Sequence, residues 1–154
     1  MLDIILLTVG KTKTPYYQAA ISDYVKRIKP YARWQQQIVK AVPWHSIHQQ
    51  QQVRQEEGER LKKVLAKMQG RRIVLLDEKG TAMTSLQWAQ EIQPMQGICF
   101  VIGGALGLAQ DILQAYPEHW SLSDLTLPHE LAQLVLVEQL YRVATILQEK
   151  TYHF

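Results

Sequence analysis

The segment ICFVIGGALGL, residues 98–108, decides the fold class of this chain. It begins with a continuous apolar run, Ile98–Ile102, which is typical of a strand that is buried on both faces. The run ends in the turn Gly103-Gly104-Ala105-Leu106-Gly107, and Leu108 and Ile112 follow at helical spacing. A strand, a glycine turn and a helix in this order predict one unit of an α/β fold.

The chain on both sides of this segment alternates in the same way. Apolar runs predict further strands over residues 4–9, 31–42, 72–76 and 120–122, and a loop over residues 77–80. Helices are predicted between the strands. The first has Thr14 as N-cap and Pro15 at its first position, the second covers about residues 50–69, and the third starts at the capping box of Thr84 and Gln87. The sequence therefore predicts an α/β fold with a mainly parallel sheet flanked by helices.

Length and composition restrict the class of protein. The chain has 154 residues, which predicts a single domain over residues 1–154. The only cysteine, Cys99, excludes an internal disulfide and a zinc site built from several thiolates. No apolar run approaches the length of a membrane span, and the acidic start MLDIILLTVG does not resemble a signal peptide. We therefore expect a cytoplasmic protein without a membrane or metal partner.

The charges are divided unequally along the chain. Residues 1–77 hold 14 Lys and Arg against 6 Asp and Glu, whereas the rest of the chain is acidic. A basic half can face a polyanion such as nucleic acid, although each cluster on its own also fits an ordinary solvated helix face.

The last predicted helix, about residues 128–147, is apolar on nearly its whole circumference. Its main polar positions are Gln133, Glu138, Gln139 and Arg142. A helix of this kind must be covered on more than one side. A homodimer in which one side meets a second copy explains this pattern, and complete burial within one monomer is the alternative.

Residue motifs alone do not identify the chemistry. Two glycine-bearing turns follow strands, one after Leu76 and one at Gly103, and loops at such strand ends form ligand sites in open α/β sheets. The turn at Gly103 lacks both the dinucleotide fingerprint and the P-loop Gly-Lys-Ser/Thr. His45 and His48 have no acidic partner nearby that would indicate a metal site. From the residues, a loop-built ligand pocket and a purely structural turn both stay open.

Longer segments carry a resemblance. FVIGGALGL at residues 100–108, WSLSDLTLPHELAQLVLVEQLYRVATIL at residues 120–147 and the ending YHF resemble the ribosomal RNA large subunit methyltransferase H family of the SPOUT superfamily. LLTVGKTK, EEGERL and LLDEKG occupy matching places earlier in the chain, so the resemblance covers its full length.

The resemblance implies a fold, a partner and a reaction. It implies a C-terminal trefoil knot, a homodimer, and methyl transfer from S-adenosylmethionine to N3 of a pseudouridine in large-subunit rRNA of assembled ribosomes. The cofactor contacts of the family carry over to eight positions of this sequence: Leu76, Gly103, Leu122, Ser123, Asp124, Leu125, Thr126 and Leu127.

Within this resemblance, Arg142, Tyr152 and His153 are the candidate catalytic residues. We expect the three side chains to gather near the methyl group across the dimer interface, with Arg142 on a phosphate or base carbonyl. His153 would accept the N3 proton at neutral pH. Simple pairing of Arg142 with Glu138 and a disordered terminal His153 are the structural alternatives. His129 is expected to cap its helix or to order the loop before it.

The sequence departs from its relatives at four positions. Ala105 and Ala109 stand where relatives often have Pro and a helix-capping Ser, and Gln133 and Phe154 stand where they often have a basic residue. The lost charges weaken the expected phosphate contacts, for which Lys11, Lys13, Lys26, Arg27 and Lys29 could compensate. Two rivals therefore stay open: a non-catalytic ribosome-associated RNA-binding protein on the same fold, and a small-molecule enzyme.

Overall fold

The structure is a computed structural model that describes residues 1–92, 94 and 96–154. Five strands of the described residues form one sheet in the order β2-β1-β4-β3-β5, and every neighbouring pair is parallel. The strands are β1 (Leu2–Val9), β2 (Ala32–Val39), β3 (Arg72–Ala82), β4 (Ile98–Ile102) and β5 (His119–Ser121). A parallel sheet flanked by helices was the fold class predicted from the sequence, and it is confirmed.

Helices cover both faces of this sheet. On one face lie α1 (Pro15–Ile28), α3 (Ser85–Glu91) and α5 (His129–Leu147), and on the other lie α2 (Gln50–Leu65) and α4 (Gln110–Ala115). A short 3-10 turn, Ile47–Gln49, precedes α2. Among the described residues, no helix combines the length and the apolar character that crossing a membrane requires.

Strand β1 shows how the sequence separates the two layers of the core. Side chains alternate along a strand, so Ile4 and Leu6 point to the α1/α5 face while Ile5 and Leu7 point to the α2/α4 face. All four are essentially inaccessible to solvent. The unbroken apolar run of β1 therefore reflects burial on both sides, as expected for a central parallel strand.

Several element boundaries differ from those predicted. The strand predicted over residues 31–42 ends at Val39, and the helix predicted over about 50–69 ends at Leu65. Leu108 lies before α4, and the fifth strand covers His119–Ser121 rather than residues 120–122. Helix termini fray and tighten, so sequence periodicity places them only to within a few residues.

The predicted loop at residues 77–80 is wrong in part, because β3 continues through it to Ala82. Leu76 pairs with Trp120 of β5, and Thr81 pairs with the same residue again, so the four residues between them leave the ladder as a bulge. Gly80 passes directly over β5: a Cβ at this position would lie 2.7 Å from the backbone carbon and oxygen of His119. A glycine is needed here because of this approach of two backbones.

Replacement of Gly80 by Ala is expected to destabilise the fold by about 2–3 kcal/mol, because backbone atoms cannot yield as a flexible side chain can. Urea unfolding followed by circular dichroism measures the change. The control is Lys79→Ala, since Lys79 is exposed and its loss should change the free energy of unfolding by less than about 0.5 kcal/mol. Equal unfolding midpoints for the two variants would contradict the close approach.

Candidate active site

The carboxyl ends of three neighbouring strands form the first part of the candidate site. In the sheet, β4 and β5 lie on either side of β3, and all three run in the same direction. Leu75 pairs with Val101 and Leu76 pairs with Trp120, so Leu76, just before the bulge of β3, lies level with Gly103 after β4 and Leu122 after β5. This edge is where open α/β sheets bind ligands. We call it the carboxyl edge.

The glycine turn after β4, residues 103–107, is closed on itself. The Gly107 N–H donates to the Gly104 carbonyl at 3.0 Å, and Gly107 has a φ of 90°, which side-chain-bearing residues rarely adopt. A Cβ on Gly103 would lie 3.0 Å from the Leu108 side chain and 3.1 Å from the Gly107 carbonyl carbon. The turn is thus compact, and its backbone is the part that it can offer to a ligand.

The loop at residues 122–127 lies next to the bulge of β3. Ser123 stabilises the loop from within: its Oγ accepts from the Leu125 N–H at 3.0 Å, and its carbonyl accepts from the Ser121 hydroxyl at 2.9 Å. The Thr126 hydroxyl donates to Glu78 Oε2 at 2.5 Å, which ties the loop to the bulge. The Leu125 side chain is 73% exposed. The loop therefore presents both backbone groups and an apolar side chain.

The next contact joins the start of α5 to the loop after β1. Glu130 accepts from the Lys13 N–H at 2.5 Å and from the Thr14 hydroxyl at 2.6 Å, and these bonds lower the pKa of its carboxyl. Thr14 is the N-cap of α1, as predicted, but its hydroxyl binds Glu130. Helix α5 begins at His129, its N-cap residue is Pro128, and no side-chain cap bond is made there, so His129 is not the N-cap. The alternative role of His129, ordering the loop before the helix, stays a prediction.

A second cluster lies on α5, where Arg142, Tyr152 and His153 meet. The residues after α5 turn back along it, with Glu149 at φ 55° and the Lys150 N–H donating to the Thr145 carbonyl. This turn brings the Tyr152 ring to 4.8 Å from the Arg142 guanidinium and His153 Nδ1 to 3.2 Å from Arg142 Nη1. The three predicted catalytic side chains are therefore adjacent in one chain. We call them the tail cluster.

Glu138 holds the tail cluster together. Its Oε1 accepts from Arg142 Nη2 at 2.6 Å and from the Tyr152 hydroxyl at 3.1 Å, and the Tyr24 hydroxyl lies 3.4 Å from that of Tyr152. The pairing of Arg142 with Glu138 thus exists alongside the cluster rather than in place of it. Burial and the neighbouring Tyr24 and Glu138 raise the pKa of the Tyr152 phenol, and the Glu138 bond raises the pKa of Arg142.

The hydrogen bond between Arg142 and His153 also indicates which ring nitrogen of His153 carries the hydrogen. A guanidinium N–H only donates, so His153 Nδ1 accepts and the neutral ring carries its hydrogen on Nε2.

The two parts of the candidate site lie apart in the chain. Helix α5 starts beside the carboxyl edge, and its last turn reaches the opposite edge, where Ala144 and Leu147 line a small cleft with Leu2 and Tyr31. Arg142 lies about 20 Å along the helix axis from His129. Within the described residues, no hydrogen bond or ring contact joins the tail cluster to the carboxyl edge.

The positions that depart from the relatives are also informative. Gln133 is buried and accepts from the Thr12 hydroxyl at 3.0 Å, so a basic residue here would face the loop after β1 rather than open solvent. Ala109 is the N-cap residue of α4 and has no side-chain oxygen to cap it. Phe154 is fully exposed.

The five basic residues that could compensate are all exposed, but they form two groups. Lys11 and Lys13 lie in the loop after β1, at the carboxyl edge, whereas Lys26, Arg27 and Lys29 lie at the far end of α1. The second group approaches the tail cluster, because Arg27 stacks on Tyr24. Each part of the candidate site thus has its own basic neighbours.

Sequence reasoning missed Glu78, Tyr24 and Glu130, and it treated Glu138 only as a possible ion-pair partner. Glu78 lies in a polar run that is typical of a loop, and the other contacts depend on how α1 and the tail pack against α5. The spacing of Glu138 and Arg142, four residues apart on a helix, was the one local signal. Groups of three or more His, Cys, Asp or Glu that could hold a metal ion do not occur in the described part of the chain.

Comparisons with known proteins agree with this architecture. The family described as "Predicted SPOUT methyltransferase" matches residues 2–153. A protein named ribosomal RNA large subunit methyltransferase H from Halothermothrix orenii is 38% identical, over 96% of this chain and 97% of that protein. The protein of the same name from Shouchella clausii is also 38% identical, over 99% of each chain.

The solved structures show the same fold at much lower identity. A candidate RNA methyltransferase from Bacillus anthracis superposes with a TM-score of 0.56 and 10% identity, covering 100% of both chains. The sequence matches are much stronger, and they extend over nearly the whole length of each protein. The chain therefore belongs to the SPOUT methyltransferase family and, within it, to the ribosomal RNA large subunit methyltransferase H family.

Proposed function

We propose that residues 1–154 act as one cytoplasmic methyltransferase domain that moves a methyl group from S-adenosylmethionine to large-subunit rRNA. The observation that carries this proposal is the family membership, together with the loops gathered at the carboxyl edge. The finer assignments, N3 of a pseudouridine, assembled ribosomes and the trefoil knot, follow from the same family and are part of the proposal.

The residues at the carboxyl edge suit the methyl donor. Leu76 and Leu122 are half-buried and Leu125 is exposed, which provides apolar surface for an adenine ring. Gly103, Ser123, Asp124, Thr126 and Leu127 supply backbone groups in a loop and a turn that internal hydrogen bonds already order. S-adenosylmethionine, when bound, supplies the electrophilic methyl group.

A homodimer would unite the two parts of the site. The tail cluster and the carboxyl edge belong to opposite ends of α5, so we propose that the tail cluster of one subunit faces the carboxyl edge of its partner. The outer side of α5 supports this arrangement, because several large apolar residues stay partly accessible on it. They are Leu131, Leu134, Val135 and Ile146.

Positioning and proton removal are the tasks of the tail cluster. Arg142 binds a phosphate or base carbonyl of the acceptor, and this contact replaces its bond to His153 Nδ1. The released Nδ1 then accepts the N3 proton. Tyr152 stays un-ionised because its pKa is raised, and it shapes the pocket by packing against Arg142 and Tyr141.

A non-catalytic RNA-binding protein on the same fold is the second candidate. The specific observation in its favour is the missing positive charge at Gln133 and Phe154. The burial of Gln133 weakens this argument, because the side chain already has a partner within the chain.

Titration with S-adenosylmethionine and a methyl-transfer assay test the proposal together. We expect calorimetry to show saturable binding of S-adenosylmethionine, with one site per chain. With radiolabelled methyl donor, we expect methyl incorporation into one base of large-subunit rRNA, with whole ribosomes preferred over isolated subunits and free rRNA. Mass spectrometry locates the base. Donor binding without incorporation into any of the three substrates would favour the non-catalytic candidate, and no donor binding would rule out the enzyme.

A further inference from the structure

The glycine turn at residues 103–107 packs against the first half of α2. Gln50 Nε2 donates to the Leu106 carbonyl at 3.3 Å, and Arg54 Nε donates to the same oxygen. The Arg54 guanidinium also covers Gly107, where a Cβ would lie 3.3 Å from Nη2. Helix α2 thus holds the turn from outside, through side chains that approach its backbone.

Glu57 lies one turn further along α2 and is buried, with 4% of its surface exposed. Its Oε2 accepts from the Val42 N–H at 3.0 Å, in the connection between β2 and α2. Its Oε1 is also buried and has no hydrogen-bond partner within the described residues. This oxygen faces the glycine turn, because a Cβ on Gly104 would lie 2.7 Å from it.

An ionised carboxylate is unfavourable at this place. A buried charge with one unbonded oxygen loses hydration without compensation, and burial is the largest cause of the raised pKa of Glu57. The Val42 bond and the charge of Arg60 act in the opposite direction but are smaller. Asp111 of α4, which pairs with Lys62, lies against the neighbouring Gly58, and Arg54 lies against Gly107.

We propose that Glu57 is a positioning residue of the methyl-donor site, a buried carboxyl that sets the distance between the β2–α2 connection and the glycine turn. It acts through contact with Gly104 and through its bond to Val42, not by touching the donor. Together with Gln50 and Arg54 it orders the turn before any ligand binds, which lowers the ordering cost of binding. The inference rests on the proposed function only in taking the turn as part of the donor site.

Three variants separate the charge of Glu57 from its shape. Glu57→Gln keeps the size and an acceptor for Val42 but cannot ionise, whereas Glu57→Ala removes the contact. Glu56→Gln is the matched control, because the neighbouring Glu56 is exposed. We expect the S-adenosylmethionine Kd of Glu57→Gln and Glu56→Gln to stay within about twofold of the parent protein and that of Glu57→Ala to rise about tenfold, as for a lost buried hydrogen bond.

Hydrogen exchange without any ligand gives the second readout. The amides of the glycine turn should exchange about tenfold faster in Glu57→Ala and at the parent rate in Glu57→Gln and Glu56→Gln. This measurement needs no donor affinity, and Glu57→Gln and Glu56→Gln provide the reference.

The dependence of stability on pH tests the uncharged state. A carboxyl whose pKa is raised in the folded protein stabilises the fold at low pH, and this contribution is lost as the pH rises through the folded pKa. The parent protein should therefore lose stability relative to Glu57→Gln as the pH rises from the ordinary carboxyl range towards neutrality. Glu56→Gln should follow the parent.

The outcomes distinguish this inference from the proposed function. If Glu57→Gln is as defective as Glu57→Ala in both readouts, the ionised form is the required one and the proposal is overturned. If Glu57→Ala retains parent exchange rates in the turn, the positioning role is overturned. Failure of the parent protein to bind S-adenosylmethionine would refute the proposed function, while the exchange and stability results would still decide the role of Glu57.

Discussion

Replacement of Arg142 by Ala is expected to reduce kcat for rRNA methylation by about 10²- to 10³-fold while changing the donor Kd less than about twofold. Arg142 is the cation of the tail cluster, and its bonds to Glu138 and His153 hold the guanidinium in a defined orientation. It lies far along α5 from the donor loops of its own chain. A single-turnover assay on ribosomes and calorimetry with S-adenosylmethionine measure the two quantities.

Two controls accompany this variant. Arg27→Ala removes a different arginine, which stacks on Tyr24 and lies at the exposed end of α1. This variant should lower turnover less than about tenfold. Arg142→Lys keeps the charge without the planar donor pair and should recover only part of the activity. Turnover of Arg142→Ala within threefold of the parent value would show that the arginine only pairs with Glu138.

A randomly paired mixture of two inactive variants is expected to regain about a quarter of the parent activity if the two parts of each site come from different subunits. One variant is Arg142→Ala. The other is Gly103→Val, in which the new side chain would displace the glycine turn, since even a Cβ lies 3.0 Å from Leu108. Random pairing makes about half of the dimers mixed, and each mixed dimer has one intact site and one doubly defective site.

The same mixture gives the opposite result if each site belongs to one chain. Every site then carries one defect, and activity stays at the level of the separate variants. Circular dichroism and ultracentrifugation first establish that both variants fold and dimerise, and Gly103→Ala replaces Gly103→Val if the latter does not. Co-expression of the two variants provides this randomly paired mixture for the methylation assay.

Much of the fold could be predicted because the strands are buried on both faces. Runs such as Ile98–Ile102 have no polar alternation, and their flanking turns and caps are local signals, as the Thr84 and Gln87 capping box shows. The continuation of β3 past Leu76 could not be predicted, because the polar residues 77–80 are typical of a loop. Only the backbone of β5, close to Gly80, explains why the strand resumes.

The candidate site also has a part that could be predicted from the sequence and a part that could not. Leu76, Gly103 and Leu122 could be placed together because the ends of parallel strands share an edge. The tail cluster was expected, but its contacts with Tyr24 and Glu138 depend on the chain reversal at Glu149, which no local pattern predicts. Glu57 was hidden for a similar reason: its burial comes from packing against a turn almost fifty residues away in sequence.

The packing of α1 against α5 has a consequence for biosynthesis. The bond between Thr12 and Gln133 joins residues 121 positions apart, and the Tyr24 hydroxyl bonds to that of Tyr152, much later in the sequence. Contacts between such distant segments slow folding, and a growing chain cannot make them until the later segment has been synthesised. While the polypeptide emerges, the apolar side of α1 is therefore not yet covered by α5. A chaperone could bind α1 during this time.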